Sequence, residues 1–134
     1  MTRINLVDPK ELYDQHLVAE YREIFMVGSS LQRSLRSPNW PNKKLPQQFT
    51  LNKGHVSFFY DKGRYLYNRY QALVAEMKRR GMNPDPARQF KVDQWPETLY
   101  NDWTPSEADM NIIRERIAER VAQRPNWYRR TLSD

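Results

Sequence analysis

The sequence contains no cysteine and only two histidines among its 134 residues. The lack of cysteine excludes disulfide bonds, thiolate nucleophiles and zinc sites built on sulfur, and it fits an intracellular protein. The isolated histidines, His16 and His55, offer no convincing set of metal ligands. The sequence therefore predicts no metal site.

Long apolar runs are absent as well. No stretch approaches the ~20 residues that a membrane-spanning helix needs, and no signal peptide opens the chain. We therefore expect no membrane partner and a cytoplasmic location. Internal repeats and low-complexity segments are also lacking, and the length suits one domain, which we place over residues 1–134.

Positive charge, in contrast, is in excess. The formal net charge is +6, and 15 arginines stand against 7 lysines. Arginine predominates where planar guanidinium groups bind phosphates. Many basic proteins bind no nucleic acid, but the composition favours a polyanionic partner over a membrane.

The first helix is predicted from Asp8-Pro9-Lys10-Glu11 to about Arg36. Asp8 can cap free N–H groups, Pro9 fits the first helical position, and Ser37-Pro38 ends the helix. Apolar residues at steps of three and four predict one buried face. This face comprises Leu17, Tyr21, Ile24, Gly28, Leu31 and Leu35.

Two further helices are predicted. One begins between Val56 and Arg64 and ends at Arg79-Arg80-Gly81, where the glycine can adopt the left-handed cap. The last begins with a capping box at Thr104-Pro105-Ser106-Glu107 and runs to about Gln123. The expected core residues of the former are Phe58, Phe59, Tyr60, Tyr65, Leu66, Tyr70, Leu73, Val74 and Met77. Those of the latter are Met110, Ile113, Ile117 and Val121.

The connections are predicted to be irregular. Three prolines lie in residues 37–53 and three more in residues 82–103, and proline is excluded from helix interiors and central strands. No convincing alternating strand is present. The sequence therefore predicts an all-α fold of three main helices with long irregular connections.

One edge of the first helix carries polar groups that are able to do chemistry. His16 and Glu23 are seven residues apart and project within about 20° of each other. Arg22, Met26 and Arg33 fall on the adjoining flank. Geometry alone does not distinguish a functional edge from a solvated charged face with an exposed histidine.

The last helix carries a basic flank at Arg116 and Arg120, near Trp127-Tyr128. The alternation of these arginines with Glu115 and Glu119 also fits ordinary salt-bridged solvation. The nearby aromatic pair slightly favours a surface that contacts DNA. Further arginines continue the flank into the tail at Arg124, Arg129 and Arg130.

Thr2 is small enough for the initiator methionine to be removed, which leaves the threonine amine at the chain terminus. An α-amine has a pKa of about 8, so a useful fraction is neutral and nucleophilic at physiological pH. Met-Thr is also a common start without any such role. If Met1 is retained, the free α-amine is that of Met1 and not that of Thr2.

Seven segments, spread over nearly the whole chain, form a recognisable pattern. They are Met1-Thr2-Arg3-Ile4-Asn5-Leu6, Asp14-Gln15-His16-Leu17, Ala19-Glu20-Tyr21-Arg22-Glu23, Gly54-His55-Val56, Phe58-Phe59-Tyr60-Asp61-Lys62, Ala122-Gln123-Arg124-Pro125 and Trp127-Tyr128. In this order they resemble the pyrimidine-dimer DNA glycosylase family, the phage-type "endonuclease V" of ultraviolet repair.

The resemblance implies a fold and a reaction. The arm that precedes the first helix is expected to pack between helices. The protein is expected to be a monomer, and its expected partner is damaged double-stranded DNA. The Thr2 amine is expected to attack C1′ of the dimer's 5′ nucleotide, displace the base and form an imine. Glu23 matches the carboxylate that stabilises the cation and assists β-elimination. No metal or other cofactor is expected.

The resemblance also implies residues that contact DNA. Phosphates are expected to be held by arginines, His16 to lie at the same surface, and Trp127 to contact DNA. The histidine at position 55 is expected to be structural, at the start of the second helical region. The arginines are Arg3, Arg22, Arg116 and Arg120, with Arg33 replacing part of a missing charge.

Two departures from the family pattern affect substrate contacts. Met26 stands where the family has an arginine, and the tail after Trp127-Tyr128 reads Arg129-Arg130-Thr131-Leu132. Three alternatives therefore stay open. They are a photodimer glycosylase with lyase activity, the same chemistry on another damaged base or abasic site, and a non-catalytic DNA-binding relative.

Overall fold

A computed structural model describes residues 3–131. The helices are α1 (Asp14–Glu23), α2 (Phe25–Leu35), α3 (His55–Phe58), α4 (Gly63–Arg79) and α5 (Glu107–Gln123). Short 3₁₀ turns lie at Pro9–Glu11, Trp40–Asn42, Phe59–Asp61, Val92–Gln94 and Glu97–Leu99. Within residues 3–131 no strand forms, so the all-α prediction is confirmed.

The prediction of one continuous first helix from Asp8 to Arg36 is wrong. Asp8 does cap the Lys10 N–H at 3.0 Å, but it starts only a 3₁₀ turn. Leu12 is then extended (ψ 143°), and its carbonyl accepts a hydrogen bond from the Arg80 guanidinium at 2.7 Å. Because a distant arginine satisfies this carbonyl, the chain does not need helical bonds here, and α1 begins only at Asp14.

A second interruption falls at Ile24, between α1 and α2. The Ile24 side chain is fully buried, and Val27 N–H bonds to the Ile24 carbonyl three residues back. The prediction of one buried face is nevertheless confirmed. Five of its members are buried and Leu35 is partly buried against the core.

The aromatic core runs along α3 and α4, as the spacing predicts. Phe59 is completely buried, and α4 ends at Arg79 with Gly81 at φ 84°, which confirms the left-handed cap. The 82–103 connection packs onto the helices through Trp95. A Cβ on Gly63 would lie only 2.7 Å from the Trp95 ring, so glycine is required for this approach.

Helix α5 spans the predicted residues but is capped two residues later than predicted. Ser106 accepts the Asp109 N–H at 3.1 Å, and Asp109 accepts the Ser106 N–H at 3.3 Å. The capping box is therefore Ser106 with Asp109 rather than Thr104 with Glu107. Ile113 and Ile117 are buried, and Met110 and Val121 pack beside them.

The N-terminal arm, residues 3–7, packs between helices as predicted. Ile4 and Val7 are completely buried, and the Val7 carbonyl accepts a hydrogen bond from Arg69 of α4. Leu6 has a positive φ of 56°, and the Val7 N–H bonds back to the Asn5 carbonyl across it. A non-glycine residue in this conformation is held by the packing around it.

None of the described helices is long and apolar enough to cross a bilayer.

Candidate active site

Three consecutive backbone N–H groups of the arm are held by side chains. The N–H of Arg3 donates to Glu23 Oε1 at 3.2 Å, that of Ile4 to His55 Nε2 at 3.0 Å, and that of Asn5 to Glu20 Oε1 at 3.2 Å. Successive N–H groups of an extended segment point to opposite sides. Helix α1 therefore holds one side of the arm, and His55 of α3 holds the other.

Glu20 anchors this arrangement inside the protein. Its carboxylate is 1 % exposed and pairs with Arg69, with Nε to Oε2 at 2.7 Å and Nη2 to Oε1 at 3.0 Å. Burial alone would lower the pKa of Arg69, but the Glu20 carboxylate outweighs that effect and raises it. The Arg69 guanidinium therefore stays charged in the folded protein, and its bonds to Glu20 fix α1 against α4 beneath the arm.

Arg3, Arg116 and Arg120 form a cluster of guanidinium groups, and Glu23 lies beside the first two. The pKa of Arg3 is lowered by burial and by the nearby Arg120 cation, while the Glu23 carboxylate opposes the shift. The pKa of Arg116 is lowered by burial and by Arg3 and Arg120, again opposed by Glu23. The three cations of the cluster outnumber this one carboxylate, and an excess of positive charge suits a phosphate backbone.

His16 lies beside this cluster but is not an exposed surface histidine. Its ring stacks on Tyr128 with centroids 4.8 Å apart and an interplanar angle of 7°. Burial, with the Arg116 and Arg120 cations, lowers the pKa of His16 to about 4. The imidazole is therefore neutral at physiological pH and is not positioned to attract phosphate by charge.

Arg22 and Trp127 lie together in a different place, across a groove of about 350 Å³. Val18 and Ala19 form part of its wall, and Trp127 is 45 % exposed. The Arg124 guanidinium lies 4.6 Å from the Trp127 ring centroid. The groove thus combines an apolar wall with the cations Arg22 and Arg129, and the Asp14 carboxylate also lines it.

The tail, residues 127–131, is tied to the start of α1. Gln15 Nε2 donates to the Trp127 carbonyl at 2.5 Å, and the Arg129 N–H donates to Gln15 Oε1 at 3.1 Å. The Asp14 N–H donates to the Arg129 carbonyl at 2.7 Å, and the Thr131 N–H donates to Asp14 Oδ1 at 3.0 Å. This set of bonds presents Trp127 and places Tyr128 against His16.

Of the residues predicted for the site, the structure brings together Arg3, His16, Glu23, Arg116 and Arg120. Thr2 lies outside the described residues. Arg33 is exposed on α2, beyond the interruption at Ile24, and no described contact joins it to the cluster. Over residues 3–131, no three acidic or histidine side chains gather in a way that would hold a metal ion.

Sequence reasoning missed three features that shape the site: Glu20, Gln15 and the link from His55 to the arm. Glu20 could have been found, because it lies three residues before Glu23 and so shares its side of the helix. His55 was predicted to be structural, and its Nδ1 does bond the Thr50 carbonyl at 2.8 Å. Its bond to Ile4 spans 51 residues and leaves no local signal.

A family model for pyrimidine dimer DNA glycosylase matches residues 1–90, about two thirds of the chain. The match includes the arm, Glu20, Glu23 and His55, while α5 and the tail lie beyond it. The chain therefore belongs to the pyrimidine dimer DNA glycosylase family.

Proposed function

We propose that this DNA repair glycosylase excises cyclobutane pyrimidine dimers and then cleaves the strand as an AP lyase. The Thr2 amine, freed by removal of Met1, is the nucleophile, and Glu23 is the catalytic carboxylate. The observation that carries the proposal is the 3.2 Å hydrogen bond from the Arg3 N–H to Glu23 Oε1. The nitrogen in that bond is the one that joins Arg3 to Thr2, so the acid meets the chain one residue from its terminus.

The first step forms a bond between the amine nitrogen and C1′ of the dimer's 5′ nucleotide while the bond from C1′ to the base breaks. The departing base takes up a proton. Opening of the sugar ring then turns the aminated C1′ into an imine, with the ring oxygen becoming a hydroxyl. Glu23 stabilises the positive charge that develops, a contribution of about 4 kcal/mol for charges 4 Å apart at an effective dielectric constant of ~20.

Strand cleavage follows from the same pair of groups. A base removes a proton from C2′ of the imine, and the C3′–O bond to the phosphate breaks with its electron pair on the phosphate. In this scheme Glu23 serves the proton transfer, because it binds the chain one residue from the amine that holds the sugar. The amine supplies the nucleophile and the imine supplies the electron sink, so the reaction needs no metal.

The arginine cluster supports this chemistry in two ways. Arg3, Arg116 and Arg120 offer cations to the phosphates that flank the damaged sugar. Cations next to an amine also disfavour its protonation, which keeps more of it nucleophilic. Lesion choice comes from shape, since a dimer weakens stacking and lowers the cost of kinking the duplex and flipping a nucleotide.

The same imine chemistry on another lesion or on abasic sites is the second candidate. The observation that favours it is Met26, which is 55 % exposed and stands where the family pattern has an arginine. A thioether cannot bind the phosphate that an arginine holds. The contrast between nicking of dimer-containing and abasic duplexes decides between the two substrates.

Borohydride trapping tests the proposal. The protein is first weighed by mass spectrometry to show that Met1 is absent, then mixed with dimer-containing, abasic and undamaged duplexes and reduced. We expect a covalent complex with the first two duplexes only. No complex with either, from protein shown to lack Met1, refutes imine catalysis and leaves a DNA-binding relative.

A matched pair of variants isolates the amine. Thr2→Ala keeps a small second residue, so Met1 is still removed and the terminal amine is kept. Thr2→Leu retains Met1 and moves the amine to the wrong residue. We expect Thr2→Ala to trap and nick, and Thr2→Leu to do neither while binding DNA. Equal trapping by both variants, with Met1 shown by mass to remain on Thr2→Leu, excludes a requirement for the α-amine of residue 2.

A further inference from the structure

His55 is buried between the arm and the aromatic core. Its side chain is 2 % exposed, and its ring centroid lies 5.4 Å from those of both Phe49 and Phe59. Nδ1 lies 2.8 Å from the Thr50 carbonyl oxygen, and Nε2 lies 3.0 Å from the Ile4 amide nitrogen. The imidazole is thus enclosed by rings and makes polar contact only at its two nitrogens among the described residues.

These two contacts require one protonation state. A carbonyl oxygen can only accept, so Nδ1 carries the proton, and Nε2 must offer its lone pair to the Ile4 N–H. Burial lowers the pKa of His55 to about 4, the Thr50 carbonyl opposes this, and the Arg3 and Arg116 cations add to it. The neutral Nδ1–H form is therefore the one present at physiological pH.

The consequence for the arm follows from the alternation of its N–H groups. Arg3 and Asn5 donate to Glu23 and Glu20 on α1, while Ile4 donates in the opposite direction to His55. Over residues 3–5 the two bonds to α1 hold one edge of the arm, and Arg69 of α4 holds it further on, at the Val7 carbonyl. The His55 bond holds the other edge at Ile4, the part of the arm nearest the chain terminus.

We propose that His55 is a positioning residue, whose bond to the Ile4 N–H sets the place at which the chain terminus meets Glu23 and the damaged sugar. The proposal rests on the proposed function, in which that terminus is the nucleophile. His55 touches neither substrate nor reacting atoms in this scheme. Its loss reduces the rate of imine formation and leaves DNA affinity nearly unchanged, since a misplacement of about 1 Å can cost about 100-fold in rate.

Two substitutions separate the roles of the two ring nitrogens. A glutamine side chain reaches as far as Nε2 and its amide oxygen can accept from Ile4, so His55→Gln keeps the bond to the arm. Asparagine is one methylene shorter and reaches only the Nδ1 position, so His55→Asn keeps the Thr50 bond and loses the Ile4 bond. The comparison thus removes the arm contact while retaining a polar group at the same position.

Single-turnover trapping and DNA binding are measured for both variants. We expect His55→Gln to keep the wild-type rate within about threefold and His55→Asn to lose about 10- to 100-fold, each with a Kd within about threefold of wild type. A folded His55→Asn protein with the wild-type rate overturns the proposal. If His55→Asn does not fold, a folded His55→Gln protein with a strongly reduced rate overturns it instead.

A measurement on the unmodified protein keeps this test apart from that of the proposed function. Nitrogen NMR of His55 reports the tautomer, and amide exchange reports the protection of Ile4, neither of which needs catalysis. We expect the Nδ1–H tautomer and a protected Ile4 amide, and an Nε2–H tautomer overturns the proposed bond. Failure of the wild-type protein to trap DNA refutes the imine chemistry while these two readouts are unaffected.

Discussion

The two ends of the described chain are both held by α1, but in opposite ways. At the end of α1, Glu20 and Glu23 bind the N–H groups of the arm, whose Ile4 is completely buried. At its start, Asp14 and Gln15 bind the tail, residues 127–131, most of which is exposed. The arm's bonds at Ile4 and Asn5 are buried and that at Arg3 is partly buried. The tail's bonds to Gln15 are exposed, and its bond from the Thr131 N–H to Asp14 is partly buried.

The contrast suggests that the arm governs the placement of the reacting groups and the tail governs the affinity for DNA. Buried hydrogen bonds to charged groups are strong and leave little freedom, which suits the role that we propose for the arm, the delivery of one atom to a sugar. Surface bonds are weaker and suit the role that we propose for the tail, additional contacts to DNA. Changes at the arm should therefore alter rate or folding, whereas changes at the tail should alter binding.

Glu23→Gln is expected to give the largest effect. It removes the carboxylate's charge but keeps an oxygen that can accept from Arg3, so the arm stays in place. We expect nicking of dimer-containing DNA to fall by at least about 10²-fold, within the range for an acid–base group, with DNA binding largely intact. Glu119→Gln, an exposed change on α5, is the control and should nick normally. Turnover by Glu23→Gln at the wild-type rate removes Glu23 from the mechanism.

Arg69→Met tests the buried ion pair between Arg69 and Glu20, which lies beneath the arm. The substitution leaves Glu20 buried without its cation, which typically costs about 3–5 kcal/mol of unfolding free energy. Urea unfolding measures the loss. Arg114→Met, which breaks the surface pairs with Glu11 and Glu107, should have little effect on the unfolding midpoint. Similar losses for both would contradict the distinction between a buried and a surface charge pair.

Local signals in the sequence predicted much of this architecture. The end of α4 at Gly81 and the extent of α5 depend on neighbouring residues, and the buried stripes depend on helical period. The late start of α1 could not be predicted, because it depends on Arg80, 68 residues beyond Leu12. The stacking of His16 on Tyr128 is equally non-local, so the predicted edge of the site carried no sign of its neutral, half-buried imidazole.

Acid should weaken the arm through its buried histidine. The pKa of His55 is about 4 in the folded protein, mainly because of burial, and its ordinary value is 6.5. Between these values the unfolded chain binds the proton and the folded chain does not, so stability falls as pH drops from about 6.5 to 4. The full shift corresponds to ~3 kcal/mol.

Unfolding by urea at several pH values measures this loss. His55→Gln removes the titrating group and should make the dependence shallower, although His16 has a similarly lowered pKa and still contributes. The bond between Asp14 and the tail should be lost only at lower pH, when the Asp14 carboxylate is protonated. Burial alone would raise the pKa of Asp14, but bonds from Thr131 and Arg80 outweigh it and lower the value below 3.8. An unchanged slope in His55→Gln between pH 6.5 and 4 would show that this imidazole is not the group that titrates.

Arg116→Ala tests the charge that α5 contributes beside the arm. The loss of one phosphate contact should weaken binding by about tenfold and reduce the salt slope of log K by ~1. Arg120→Ala should act similarly. Arg33→Ala is the informative comparison, because Arg33 lies on α2 apart from the cluster and should change affinity less. If Arg33→Ala reduces the salt slope and the two α5 variants do not, the DNA-binding surface lies on α2 instead.

Gln15→Ala is expected to give the smallest effect, and it acts on the tail alone. The substitution removes the bonds to the Trp127 carbonyl and the Arg129 N–H, which frees one side of the tail without changing any charge. Affinity for dimer-containing DNA should fall by about two- to fivefold, the equivalent of one net hydrogen bond. The rate at saturating DNA and the salt slope should be unchanged, because Glu23 and the arginines are untouched. Gln71→Ala, exposed on α4, controls for the loss of a glutamine from a helix. A fall in the saturated rate would mean that the tail also helps to place the reacting groups, and the separation of rate at the arm from affinity at the tail would no longer hold.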